Sequence, residues 1–209
     1  MHRTVDSMPR RGLLVVISSP SGGGKTTVIR RLLERGGDAF AYSVSATTRA
    51  PRPGEVDGRD YFFLSKEEFE RRVRNGEFVE YAEVHGHLYG TLRSPLQSQL
   101  ERGKVVLLDI DIQGGFAIRR AFPEDSLLIF LAPPSLDELE ARLRGRGSDS
   151  EEEIQRRLAR VPMEMEAARH YDLVLVNDQV ERVAEEILRA IRARWPRAEP
   201  AESGRVEKG

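Results

Sequence analysis

A chain of 209 residues with 39% hydrophobic and 32% charged side chains can bury one good core and has the balance of an ordinary soluble domain. Its formal net charge of -1 excludes a nucleic-acid binder dominated by a basic face, so any positive site must be local. The lack of cysteine excludes disulfides, a thiolate nucleophile and Cys-ligated metal, and it suits a reducing cytosol, so a cytoplasmic location is expected.

Residues 1–11 carry no apolar core of the kind a secretory signal needs and read as an N-terminal extension. No window reaches the ~18 apolar residues required to cross a bilayer, so neither membrane nor nucleic acid is expected as a partner. The run Leu13 to Ile17 predicts a strand, which empties into Ser18-Ser19-Pro20-Ser21-Gly22-Gly23-Gly24-Lys25-Thr26-Thr27. Three glycines let successive backbone amides wrap an anion. A helix predicted from Thr26 to Arg35 adds its orphan amides and dipole. In this phosphate-loop reading Lys25 meets the outer phosphates and the Thr26 hydroxyl faces Mg²⁺. Ser19 stands where the motif has its first Gly. A flexible glycine linker is the alternative, but linkers are not normally preceded by five apolar residues and followed by a helix. Lysine occurs only at Lys25, Lys66, Lys104 and Lys208, so one inside this loop is not background.

From Ala41 to Tyr89 the pattern alternates, as in Glu77-Phe78-Val79-Glu80-Tyr81-Ala82-Glu83-Val84, with one helix from Ser65 to Asn75; an inserted, partly antiparallel subdomain is expected. Its loop Thr47-Thr48-Arg49-Ala50-Pro51-Arg52-Pro53-Gly54-Glu55 fixes the backbone around Arg52. Arg49 and Arg52 read equally as a fork for a phosphate or carboxylate and as a solvated pair. Further on, Ser94-Pro95 predicts a helix start, and Val105 to Ile110 predicts a strand carrying Asp109 and Asp111 to its C-terminal end on one face. That edge is where open α/β sheets bind ligands.

Leu127 to Leu131 and Leu173 to Val176 are two more buried-strand candidates, and their near-continuous apolarity suits a parallel sheet covered on both faces. Ser65 with Glu68, Ser135 with Glu138 and Ser150 with Glu153 fit capping boxes, and Asp178 with Glu181 is a near match. The helix from Ser135 ends in Arg142-Leu143-Arg144-Gly145-Arg146-Gly147, which reads as a hinged lid with Arg142 and Arg146 on one side. Arg157 lies on the next helix, whose core stripe is Ile154, Leu158, Val161 and Met165, with a kink expected at Pro162. His85 and His87 flank a turn without a third ligand at metal spacing. The tail 196–209 lacks apolar periodicity and is expected to be disordered.

In order along the chain, Ser21-Gly22-Gly23-Gly24-Lys25-Thr26, Ser45-Ala46-Thr47-Thr48-Arg49-Ala50-Pro51-Arg52-Pro53-Gly54-Glu55, Asp60-Tyr61-Phe62-Phe63, Glu80-Tyr81-Ala82, Tyr89-Gly90-Thr91, Asp109-Ile110-Asp111-Ile112-Gln113-Gly114, Ala132-Pro133-Pro134-Ser135 and Gly145-Arg146-Gly147 together resemble the guanylate kinases, nucleoside monophosphate kinases for GMP. The resemblance covers 12–195. It implies an α/β phosphate-loop kinase fold in three layers, with a five-stranded parallel core sheet (12–45 and 92–195), a mixed GMP-binding insert at about 46–91 and a helical lid at about 142–157. It implies transfer of the γ-phosphoryl of ATP, with Mg²⁺, to GMP or dGMP. By the same resemblance Arg49, Arg52, Tyr61 and Tyr89 hold the GMP phosphate, and Ser45, Glu80, Thr91 and Asp111 read guanine. The loop Ser19 to Thr27 holds ATP, Asp109 and Thr26 serve the metal, and Arg142, Arg146 and Arg157 join Lys25 at the transferred group. Chemistry supports Glu80, since guanine offers adjacent N1-H and N2-H donors that one carboxylate can accept. Two rivals stand at this stage. Asp111-Ile112-Gln113-Gly114 fits the D-x-x-G element of a GTPase, though no N-K-x-D follows, and a non-catalytic scaffold module would share the fold. Oligomeric state is not legible.

Overall fold

The computed structural model describes residues 11–84, 86–145 and 150–196. Arg146 and the tail from residue 197 onwards lie outside them, as do residues 1–10 and His85. Strands β1 (Leu13–Ser18), β2 (Phe40–Tyr42), β7 (Val105–Asp109), β8 (Ser126–Ala132) and β9 (Leu173–Val176) form one sheet in the order β2-β7-β1-β8-β9, and every pairing in it is parallel. The central strand explains the unbroken apolar run. Leu13, Val15 and Ile17 enter one core with α1 (Lys25–Gly36) and α8 (Val180–Arg194), while Leu14 and Val16 enter a second with α3 (Arg93–Glu101) and α4 (Ile112–Ala121). A strand buried on both faces has no reason to alternate. The result is the expected three-layer α/β fold with a five-stranded parallel sheet.

Alternation does not mark the fifth strand, though the resemblance puts 12–45 in the core: Phe40–Tyr42 pairs in parallel with β7, so Ala41 and Tyr42 belong to the main sheet and not to the alternating segment. A second, mixed sheet joins β3 (Ala46–Thr47), β4 (Phe62–Phe63), β5 (Phe78–Val84) and β6 (His87–Leu92) in the order β4-β3-β6-β5. It packs with α2 (Lys66–Arg74) around Ala46, Phe69, Phe78 and Leu92, the Phe69 and Phe78 rings stacking at 4.3 Å. Pairing of β5 with β6 shifts between Phe78 and Glu80. That bulge at Val79 re-aims the strand, so Phe78 enters the small core while Glu80 opens toward the main sheet.

Three helix starts hold as predicted, with the Ser65, Ser135 and Ser150 hydroxyls accepting the amides of Glu68, Glu138 and Glu153. Two differ. Helix α3 begins at Arg93 behind Leu92 and has no side-chain cap, so Ser94 and Pro95 lie inside its first turn. Asp178 does not cap α8; Gln179 holds that position, and Asp178 accepts from the Gln179 amide and the Arg182 guanidinium. The chain between α5 (Leu136–Gly145) and β9 forms α6 (Glu151–Leu158) and α7 (Val161–Ala167), and Pro162 sits in the first turn of α7, so it starts a helix instead of kinking one. Ile154 and Val161 are buried against Leu139 and Leu143, but Met165 is 36% exposed and does not extend their stripe.

Gly115 of α4 lies under Tyr171: a Cβ there would stand 2.1 Å from the phenol oxygen and 3.0 Å from its ring carbon. Gly115→Ala should therefore cost about 1–3 kcal/mol through overpacking, read as a lowered Tm in a thermal melt. An unchanged Tm would mean that the ring has room to retreat.

Candidate functional site

Strand β1 delivers Ser18 at the C-terminal edge of the sheet, and the chain then turns through Ser19 to Gly24 into α1. Gly22 (φ 89°) and Gly24 (φ 84°) are left-handed, a conformation that side chains with a Cβ resist. Gly24 is also the N-cap of α1 and provides no side-chain cap, so the first amides of the helix point outward unclaimed. Behind the loop, the buried Asn177 side chain donates from Nδ2 to the Gly23 carbonyl at 2.6 Å. That carbonyl is thus turned away from the anion side. Ser19 fills the place of the missing glycine with a use for its side chain: Lys25 Nζ lies 3.4 Å from both its carbonyl and its hydroxyl. Lys25 also faces Asp109 at 3.7 Å, while Thr26 and Thr27 are exposed at the helix mouth.

The lid side reaches the same loop. Arg157 of α6 donates from Nη1 to Ser21 Oγ at 2.6 Å and pairs with Glu153 at 3.0 Å. Arg142 of α5 pairs with Glu138 and lies 3.5 Å from the Asn177 carbonyl. Two arginines from two helices therefore converge on one glycine loop.

Next to the loop, a cavity of about 290 Å³ is lined by Tyr42, Ser45, Asp60, Tyr61, Glu80, Tyr89, Asp109 and Asp111, together with Ala82, Val84, Gly90 and Ile110. Glu80 receives the hydroxyl of the buried Thr91. Burial pushes its carboxyl above the usual carboxylate range, the Thr91 hydroxyl opposes this, and the Asp111 charge adds to it. Burial likewise raises Asp109, against which Lys25 works. Tyr61 is raised, chiefly by burial, and Tyr42, although 42% exposed as a residue, is raised by the partial desolvation of its hydroxyl and by the Asp109 charge, so both enter the cavity as protonated donors.

Asp109 and Asp111 do not share a strand face. Strand β7 ends at Asp109, and Asp111 is the N-cap of α4, its Oδ1 accepting the Gly114 amide at 2.8 Å. The D-x-x-G spacing is therefore a helix cap. The arginine loop also departs from expectation. Arg49 Nη2 binds both oxygens of Glu55, at 2.8 and 3.0 Å, and the guanidinium lies 5.4 Å from the Tyr61 ring centroid. Arg52 is exposed and touches the arrangement through its backbone amide, which donates to Glu55 at 2.7 Å. As they stand, the two side chains do not form one fork. Tyr42, Asp60 and Asn177 were missed; only Asn177 had a signal, a polar residue directly after an apolar strand at the ligand edge.

A glycine loop running from a buried strand into a helix N-terminus, a lysine shared with a strand-end aspartate, and a carboxylate-lined cavity beside it define a phosphate-loop nucleotide kinase. The family model described as "Guanylate kinase" matches residues 11–194. The guanylate kinase of Streptococcus thermophilus is 49% identical over 192 residues, 92% of this chain and 91% of that protein, and the one from Rubrobacter xylanophilus is 51% identical over 183 residues, 88% and 95%. A crystal structure of guanylate kinase from Anaplasma phagocytophilum superposes with a TM-score of 0.70 at 39% identity, covering 88% of this chain and 86% of that one. The chain belongs to the guanylate kinase family, and its activity is that of a nucleoside monophosphate kinase, a phosphotransferase. No helix among the described residues is long and apolar enough to cross a membrane.

Proposed function

We infer that the chain moves the γ-phosphoryl group of ATP onto GMP or dGMP in the cytoplasm, giving ADP and GDP or dGDP. The observation that carries the acceptor is Glu80: a carboxylate that lines, with Asp111, the same cavity that Asp109 of the Lys25–Asp109 pair lines. A carboxylate there accepts N1-H and N2-H of guanine together, and adenine lacks that donor pair. Thr91 and Ser45 complete the base end. Tyr61, Tyr89 and Arg49 bind the GMP phosphate, with Arg52 joining when its loop folds inward.

The donor side takes ATP on the loop Ser19 to Thr27, whose backbone N–H groups other than those of Pro20, which has none, and Gly23, which bonds the Pro20 carbonyl, face the phosphates. The nucleophile is a phosphate oxygen of GMP, already ionised at neutral pH, so no general base is needed and the bond to the γ-phosphorus forms as the bond to the ADP oxygen breaks. The work left to the protein is to bring two polyanions into line and neutralise them. Lys25, Arg142 and Arg157 do so from three directions, and Arg146 belongs to the same group although it lies outside the described residues. Asp109 and the Thr26 hydroxyl are hard oxygen donors at the loop mouth; a single carboxylate with substrate phosphates and water suits Mg²⁺. When bound, Mg²⁺ supplies charge neutralisation at the outer phosphates. The insert at 46–91 and the lid at 142–157 close over the two nucleotides from opposite sides.

The test is ADP release with Mg·ATP and each of GMP, dGMP, AMP, CMP and UMP. GMP and dGMP should turn over more efficiently than AMP by about tenfold to a hundredfold or more, since a buried carboxylate left without its donors costs on the order of 1–3 kcal/mol or more. Equal efficiency with AMP would sink the guanine assignment.

A further inference from the structure

Between Asp109 and Asp111 the chain leaves β7 and enters α4, and the carbonyl at that joint is held from another strand. Ser18 Oγ donates to the Ile110 carbonyl at 2.8 Å, and Ser18 is wholly buried. The same oxygen lies 2.9 Å from the Tyr171 hydroxyl. A serine hydroxyl has one proton, and Ile110 takes it, so Tyr171 is the donor in the second bond. The bonds run in one direction, from Tyr171 O-H to Ser18 O-H to Ile110 C=O, and in a low-dielectric interior each strengthens the next.

Tyr171 is itself well anchored. Its ring stands edge-on to Phe116 of α4 at 5.6 Å and to Phe130 of β8 at 6.0 Å. Its amide donates to the Ala168 carbonyl at 2.9 Å. The next residue, Asp172, exchanges bonds with Leu128 of β8 at 2.7 and 3.0 Å. Burial pushes the phenol up to about 12, so it remains a donor throughout the physiological range.

We propose that Tyr171 is a positioning residue for both halves of the site: through Ser18 it fixes the Ile110 peptide and with it the placement of Asp109 on the donor side relative to Asp111 on the acceptor side. Tyr171 is 7% exposed and does not line the cavity beside the loop. Its action is relayed through Ser18, the last residue of β1 before the phosphate loop. The proposal rests on the roles given above to Asp109 and Asp111.

Tyr171→Phe keeps the ring and strands no buried donor, because Ser18 can still bond to Ile110. It should hold Tm near the parent value and the KM for ATP within about twofold, while lowering kcat by about 3- to 10-fold and raising the KM for GMP, the scale of one hydrogen bond. Ser18→Ala leaves the Tyr171 hydroxyl without an acceptor and frees Ile110, so both Tm and kcat should fall. The double variant Ser18→Ala/Tyr171→Phe removes both hydroxyls and should regain part of the Tm lost in Ser18→Ala, since no unpaired donor remains while the Ile110 carbonyl is still unpaired. Its kcat should stay at or below that of Ser18→Ala, because Ile110 is still unheld. The proposal is overturned if kcat returns with Tm in the double variant, or if Tyr171→Phe matches the parent in kcat and in KM for GMP. Asp111→Asn, measured alongside, separates the two layers: an unchanged KM for GMP would sink the site reading, whereas a raised one beside an unaltered Tyr171→Phe would sink the relay alone.

Discussion

Lys25→Ala is expected to lower kcat by on the order of 10² or more, as loss of a transition-state charge contact does. The geometry explains the size. The ammonium is not loose in solvent; it is held by the Ser19 carbonyl and hydroxyl at 3.4 Å and by Asp109 at 3.7 Å, at the mouth of the helix that receives the phosphates. In the proposed reaction, charge passing to the leaving oxygen develops beside this already placed cation, so no reorganisation is required of it. Lys25→Arg should fail to rescue the rate, because a planar fork does not replace a point charge threaded through backbone atoms. There is a second consequence for pH. Burial raises the Asp109 carboxyl and Lys25 opposes that rise, so removing the ammonium leaves burial unopposed. Residual activity in Lys25→Ala should therefore lose its acid side at higher pH than the parent. Steady-state ADP release from pH 5 to 9 measures both effects, and turnover within about fivefold of the parent would remove Lys25 from the catalytic group.

Glu80→Gln should trade specificity for stability. An amide keeps an oxygen for the Thr91 hydroxyl but turns a donor toward guanine, so two donors face two donors; kcat/KM for GMP should drop by about tenfold to a hundredfold or more, with little change for AMP. Without nucleotide the same variant should melt higher at neutral pH. The sign follows from the direction of the shift. A carboxyl whose folded pKa lies above its unfolded value binds its proton more tightly in the native state, so its favourable contribution is complete below the ordinary carboxylate pKa. That contribution is lost as pH rises through the folded value. Glutamine has nothing to ionise, and the gain in Tm should grow from pH 4 to pH 7. A Tm gain that is flat over that window would show that Glu80 ionises without cost.

The parts of the molecule that could be read from its sequence were those specified within one element. The glycine loop, the apolar strands and the three serine caps each carry their cause within a few residues. What failed were contacts made across the chain. Asn177 holds the Gly23 carbonyl from 154 residues away, and no local pattern predicts that pairing. The bulge at Val79 breaks the alternation that made β5 recognisable, yet it is what separates Phe78 from Glu80. The face shared by Asp109 and Asp111 was inferred by extending β7 two residues too far; capping α4 is a stronger local demand on an aspartate than continuing a strand. Arg49 and Arg52 were paired from the proline-set loop and from the resemblance, whereas Glu55, three residues beyond Arg52, holds the Arg49 guanidinium and the Arg52 backbone amide.

That glutamate changes what an incoming phosphate meets. Arg49 already has a bidentate counter-ion, and the same interaction holds the Glu55 carboxyl below its usual range. In the proposed role of Arg49, capture of the acceptor phosphate is then an exchange of one anion for another on a guanidinium that already holds a carboxylate. The binding energy of that arginine is the difference between two ion pairs rather than the whole of one. The loop is also kept folded and its charge masked in the absence of substrate, and stray inorganic anions must displace a tethered rival before they can occupy the site.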